Sequence, residues 1–313
     1  MIRTRCYNVS MKPLSKQAKQ YISLSFGLSW GLAGMYYLTG GRLTSPGALI
    51  MMILYMFMPM VSAIILQKYV HKKTLKVPLK IYFKPNRYFF LAWVLPFVVA
   101  VAAIGVSLLF PGVSFSSGME GMIEKYASIL SPQDLAKMKE QIATSPIHPF
   151  WLAIIQGLIA AVTVNAVAAF GEELGWRSYL YNELKQYGFW YTSIFTGVIW
   201  GLWHAPIILQ GYNYPDTPVL GVFIMTVFTV LYSPIFTYIR AKSGSVIAAS
   251  ILHGGINASA GLALLVTRGG NSLLLGSLGL SGFIVLAVIN VILFVEMKKD
   301  KHTFLLKEVE KRG

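Results

Sequence analysis

Charge is scarce in this sequence. Asp, Glu, Lys and Arg make up 12% of its 313 residues, about half the share of an ordinary soluble domain, while hydrophobic residues make up 55%. That excludes a soluble globular domain and implies an integral membrane protein. Cysteine is scarcer still: the single Cys6 rules out an internal disulfide framework and any cysteine-based metal cluster. Acidic residues are few, 12 against 27 Lys plus Arg. The resulting excess of cations is spread through the gaps between apolar runs, which fits a membrane surface and no nucleic-acid partner. The first apolar run ends at Gly40, Gly41 and Arg42 without a small-x-small cleavage site, so it is expected to be a retained span.

A helix needs about 20 apolar residues to cross a bilayer. Runs of that kind lie near 21–39, 48–67, 89–110, 150–172, 190–209, 218–239, 244–266 and 273–296. The expectation is an all-α polytopic membrane protein with about eight transmembrane helices and a polar catalytic cavity within the membrane. Residues 1–20 form a basic tail, 21–297 the membrane domain with its core at 150–266, and 298–313 a second basic tail. Met11, ahead of Lys12 and Lys16, is an alternative start. With eight spans, 22 of the 27 Lys and Arg fall on one side. The positive-inside rule then puts both termini in the cytoplasm, most simply at the plasma membrane of a prokaryote. The outer loop 111–148 contains two short stretches with Met, Ile and Leu at helical spacing, read as amphipathic helices on the outer surface.

Few strongly polar groups sit inside the apolar runs. Glu172, Glu173 and Arg177 close the fourth, His204 lies in the fifth directly before Ala205-Pro206, and His253 lies in the seventh, four residues before Asn257. Glu172 is 13 residues from Lys185, His204 14 from Trp190 and His253 11 from Lys242. At about 1.5 Å per residue the three share one layer, roughly 16–21 Å from the helix ends. Glu173 and Arg177, at i and i+4, form an ion pair on one face, leaving Glu172 on another. Gly254, Gly255, Ala258 and Ser259 beside His253 allow another helix or a peptide backbone close.

A carboxylate and a neutral imidazole activate water, and a second imidazole with an amide N–H stabilises the oxyanion formed when that water attacks an amide. Those are the parts of a peptide hydrolase. No H-E-x-x-H motif is present, yet Glu172, His204 and His253 also make a two-histidine, one-carboxylate set for zinc with an open position for water. No cofactor is certain at this point, and zinc is possible.

The pattern E-E-x-x-x-R at Glu172, Glu173 and Arg177, aromatic-x-x-x-H at Trp200 and His204, and H-x-x-x-N at His253 and Asn257 resembles the CPBP family. This family of intramembrane proteases includes the CAAX prenyl endopeptidases and bacteriocin-processing or immunity proteins. The resemblance implies that Glu172 activates water together with His204, that His253 and Asn257 stabilise the oxyanion, and that Glu173 and Arg177 hold the helix. It implies a membrane-anchored peptide or protein, prenylated or not, as substrate within the lipid bilayer. Both a metalloprotease and a metal-independent glutamate mechanism are attributed to the family. Trp200 departs from its commoner phenylalanine and bears on substrate preference through the pocket. Two other readings compete: a non-catalytic scaffold or bacteriocin-immunity protein, and a proton-coupled transporter using the same buried groups as a relay.

Overall fold

The computed structural model describes residues 13–127 and 130–299. Cys6, Met11 and most of both basic tails lie outside them. Helix α1 (Lys16–Leu38) starts where the Ser15 hydroxyl accepts the Ala18 N–H. Then come α2 (Ala48–Ile64), which continues as a π-helical stretch Ile65–Val70, and α3 (Arg87–Ser107), capped by the Asn86 side chain. The segment after α3 carries α4 (Glu120–Ala127) and α5 (Pro132–Thr144), close to the two expected amphipathic helices.

The central region runs through α6 (Pro149–Val162) and α7 (Val164–Glu173). A π-helical stretch, Leu174–Leu180, leads into α8 (Tyr181–Leu184). Next are α9 (Phe189–Trp203), α10 (Ala205–Leu209), α11 (Pro218–Ser243), α12 (Val246–Ser259), α13 (Leu262–Val266) and α14 (Leu280–Lys299). A two-residue ladder pairs β1 (Ser114–Phe115) antiparallel with β2 (Thr267–Arg268) and ties the segment between α3 and α4 to the end of α13.

The protein is an all-α polytopic membrane protein, but the count of spans differs from the eight expected. Among the described residues six helical segments of 19 to 26 residues are long and apolar enough to cross a bilayer, and a seventh qualifies only if α5 and α6, bent by 90°, act as one. The first expected span exists as the 23-residue α1. Its Ser25 and Ser29 are fully buried, so its polarity serves the interior and lowers its hydropathy. The fourth is broken: Thr163, at φ −118° and ψ −108°, leaves the helical region between α6 and α7. With 14 and 10 residues, neither piece spans a bilayer alone.

In lipid the hydrophobic effect does not drive helix against helix, so close backbone approach must do so. A Cβ on Gly201 would lie 2.5 Å from the Thr226 Cα, and one on Gly197 2.7 Å from the Val230 Cα, which fixes α9 against α11. On α12, a Cβ at Gly254 would meet the Ala161 carbonyl of α6 at 2.6 Å and one at Gly255 the Pro96 ring of α3 at 2.8 Å. The small residues beside His253 therefore seat α12 between α3 and α6.

Candidate active site

Glu172 and Glu173 are the last two residues of α7, and the chain widens into the π-helical stretch directly after them. Such widened turns occur often at functional sites. Here the widening carries Arg177 on the same winding as the two acids, and all three side chains are buried. Glu172 Oε2 accepts the Trp200 indole N–H at 2.7 Å. A charge-assisted bond of this kind contributes about 1.5–3 kcal/mol. It ties α9 to the end of α7.

Glu173 takes different partners from its neighbour. Its Oε1 accepts His253 Nδ1 at 2.8 Å, while its Oε2 stands 3.5 Å from Arg177 Nε, an ion pair without hydrogen-bond geometry. The expected Glu173–Arg177 pair is thus present, and the shorter contact is with His253. Arg177 is held chiefly by other groups: its guanidinium lies 4.4 Å from the Trp200 ring centre and 4.2 Å from that of Phe236, and Nη2 donates to Ser233 Oγ at 3.1 Å. Cation–π contacts reach about 2 kcal/mol when desolvated. Ser233 and Phe236, both on α11, bring a helix to the site that the sequence did not announce, since neither residue type stands out in an apolar run.

His204 occupies the break between α9 and α10, where Pro206 removes a helical donor. Its Nδ1 lies 2.8 Å from the Trp200 carbonyl. A carbonyl only accepts, so Nδ1 carries the proton and Nε2 keeps its lone pair. The same reasoning puts a proton on His253 Nδ1, facing the Glu173 carboxylate. The Trp200 ring contacts both imidazoles, with centroids 5.8 Å from His204 and 5.3 Å from His253.

The break itself is gripped from α1 and α2. The Trp203 carbonyl, directly before His204, accepts the Tyr55 hydroxyl at 2.5 Å and the Trp30 indole N–H at 3.1 Å. The Trp203 indole in turn donates to Ser29 at 2.7 Å. Tyr55, Trp30 and Ser29 were missed in the sequence because each is ordinary in an apolar helix; only their convergence on one carbonyl marks them.

The structure therefore brings Glu172, Glu173, Arg177, Trp200, His204 and His253 into one buried knot. Asn257 stands one turn farther along α12 and is exposed. The possible zinc set fares less well. Among the described residues no three His, Cys, Asp or Glu side chains converge as metal ligands, Glu172, His204 and His253 included. The Trp200 N–H occupies Glu172 Oε2, and both Nδ1 atoms are committed to the Trp200 carbonyl and to Glu173, so an ion would have to be met by Glu172 Oε1 and the two Nε2 atoms.

Known proteins share this part of the chain. Residues 148–259 match the family model described as type II CAAX prenyl endopeptidase Rce1-like. A stretch of 49 residues is 43% identical to a protein named CAAX prenyl protease 2 from Methanococcus maripaludis, a match covering 15% of this chain and 18% of that relative. The match over 148–259 contains every residue of the buried knot, so this part of the chain is similar to the Rce1-like type II CAAX prenyl endopeptidases.

Proposed function

We propose that the protein is an intramembrane endopeptidase that hydrolyses a peptide bond near the membrane-proximal or C-terminal end of a membrane-associated substrate. Substrates of the prenylated C-a-a-X type are included, in keeping with the name of the relative from Methanococcus maripaludis. The observation that carries the reading is the pairing of a buried carboxylate, Glu172, with a histidine whose tautomer is set by the backbone, His204.

Glu172, positioned by the Trp200 N–H, takes a proton from water while its oxygen attacks the scissile carbonyl carbon. His204 Nε2, holding a lone pair, accepts a hydrogen bond from the same water and orients it. The carbonyl oxygen becomes an oxyanion, which needs donors. His253 supplies one from Nε2 only when both ring nitrogens carry protons, and Glu173 at Nδ1 is the carboxylate that balances that charge. Asn257, one turn away on α12, supplies an amide N–H once substrate lies along the helix. Collapse of the tetrahedral intermediate breaks the C–N bond, and the proton on Glu172 passes to the departing amine. No step in this reading runs through a metal. In this reading the termini and the basic loops face the cytoplasm, at the plasma membrane of a prokaryote.

The test is cleavage of a mixed library of prenylated and unprenylated membrane peptides by purified protein in bilayer discs, read by mass spectrometry with and without chelator. Products that survive chelation support the metal-free peptidase, and products lost on chelation overturn its metal-free part. No products from folded protein would favour the scaffold or immunity reading.

A further inference from the structure

A groove of about 570 Å3 opens on the lipid-facing side of the bundle between α3, α11 and α14. Its floor and walls are apolar along α3: Phe90, Leu91, Val94, Leu95 and Val98. Its one polar end is built from Arg87, Tyr88, Tyr238 and Glu296. From Arg87 to Val98 the chain advances 11 residues, about 16 Å at 1.5 Å per residue. The hydrocarbon of a single leaflet is about 15 Å deep, half of a 30 Å core. The groove is therefore one leaflet long, and its polar end lies where head groups lie, on the side of the basic loops.

We propose that this groove binds one phospholipid whose head group carries both a phosphate and a primary ammonium, as phosphatidylethanolamine does. The charges at the polar end are of both signs and are not neutralised by one another through a direct bond among the described contacts. Arg87 Nη2 is bonded to the Tyr88 hydroxyl at 3.0 Å, and its remaining N–H groups suit a phosphate. Glu296 accepts the Tyr238 hydroxyl at 3.2 Å and is exposed, a carboxylate suited to an ammonium. The Tyr88 and Tyr238 rings, 5.9 Å apart and nearly perpendicular, hold the two ends of the site together, with the Arg87 guanidinium 5.0 Å from the Tyr88 ring centre. A purely anionic head group would meet Glu296 as a like charge, and a choline head would offer it no N–H to donate. The acyl chain fills the apolar length of the groove.

The site bears on the rest of the fold through α3. Elsewhere on this helix the Trp93 indole N–H donates to the Leu158 carbonyl of α6 at 2.8 Å, and Pro96 packs on Gly255 of α12. A lipid seated in the groove presses α3 against the helix that carries His253. The inference does not depend on peptidase activity.

Delipidated full-length protein in detergent would be titrated separately with phosphatidylethanolamine, phosphatidylglycerol and phosphatidylcholine, with bound lipid counted by native mass spectrometry and thermal unfolding followed in parallel. The expected result is one ethanolamine lipid bound about tenfold more tightly than either other lipid, one good charge-assisted contact's worth of selectivity, with a matching rise in unfolding temperature. Arg87→Gln lowers that affinity about tenfold, and Glu296→Gln removes the preference for ethanolamine over glycerol; both residues are exposed, so both variants fold. Equal binding of the three lipids to the wild type, or unchanged selectivity in both variants, overturns the proposal. So does one-for-one displacement of the ethanolamine lipid by a prenylated peptide, which would assign the groove to substrate.

Discussion

Trp200 holds Glu172 through its indole N–H at 2.7 Å, and through its backbone carbonyl it fixes the tautomer of His204 at 2.8 Å. One residue thus orients both groups proposed to activate water. The family resemblance implies that Trp200 shapes a pocket, and the geometry makes it a positioning residue as well.

Trp200→Phe keeps an aromatic face for Arg177 and the Trp200 backbone carbonyl for His204, and removes only the donor to Glu172. Catalysis should fall about tenfold in kcat/KM, the equivalent of one charge-assisted bond of about 1.5 kcal/mol, with the unfolding temperature little changed. Trp200→Ala also deletes the cation–π contact and should cost stability as well. Kinetics and thermal unfolding of the two variants, compared in the same bilayer discs, check this.

Glu173 and Arg177 behave as a buried charged set with His253. Removing one member strands a charge in the interior, a cost of about 3–5 kcal/mol. Glu173→Ala should therefore unfold at markedly lower temperature. Combining it with Arg177→Met should cost less than the sum of the single changes, because no unpaired guanidinium then remains. A double-mutant cycle of unfolding free energies measures the difference.

The Trp203 carbonyl has two donors, so either can be lost without leaving it unpaired. Tyr55→Phe and Trp30→Phe should each destabilise by about 1 kcal/mol. Together they orphan a buried carbonyl beside His204, and the double variant should lose more than the sum, with a fall in kcat that the single variants do not show. Additive losses would mean that the grip on the helix break does not matter for catalysis.

Away from the site, Arg268 and Glu124 form an ion pair with both side chains more than half exposed. Exposed pairs contribute about 0–1 kcal/mol. Glu124→Gln should leave the unfolding temperature within about 2 °C of the wild type at 0.15 M salt, which contrasts the solvated pair with the buried one at Glu173.

Much of the site was legible because charge in an apolar run is conspicuous: Glu172, Glu173, Arg177, His204 and His253 needed only their positions in the chain. Depth arithmetic predicts that three of them share one layer, and the structure gathers those three around Trp200. Partner choice was not legible. Helical spacing predicts Glu173 with Arg177 and is silent on His253, which reaches Glu173 across the α12–α7 interface where Gly254 lies close to the Ala166 backbone N. The break at His204 was signalled by Pro206. The break at Thr163 carried no such mark, since neither proline nor glycine lies between Leu158 and Phe170. A span was therefore expected where two short helices stand. Asn257 shows the same limit: i, i+4 spacing puts it on the His253 face, but it leaves the buried knot and is exposed.

The central claim is that Glu172 activates water, and Glu172→Gln tests it most directly. The amide oxygen still accepts the Trp200 N–H, so the packing around residue 172 is kept while the base is lost. The measurement is single-turnover cleavage of a membrane-anchored peptide in bilayer discs, with the unfolding temperature recorded on the same sample. The account predicts an unfolding temperature close to wild type and a cleavage rate lower by about 10²–10⁴-fold, the usual contribution of a general base. Cleavage at the wild-type rate by a folded Glu172→Gln protein would contradict it.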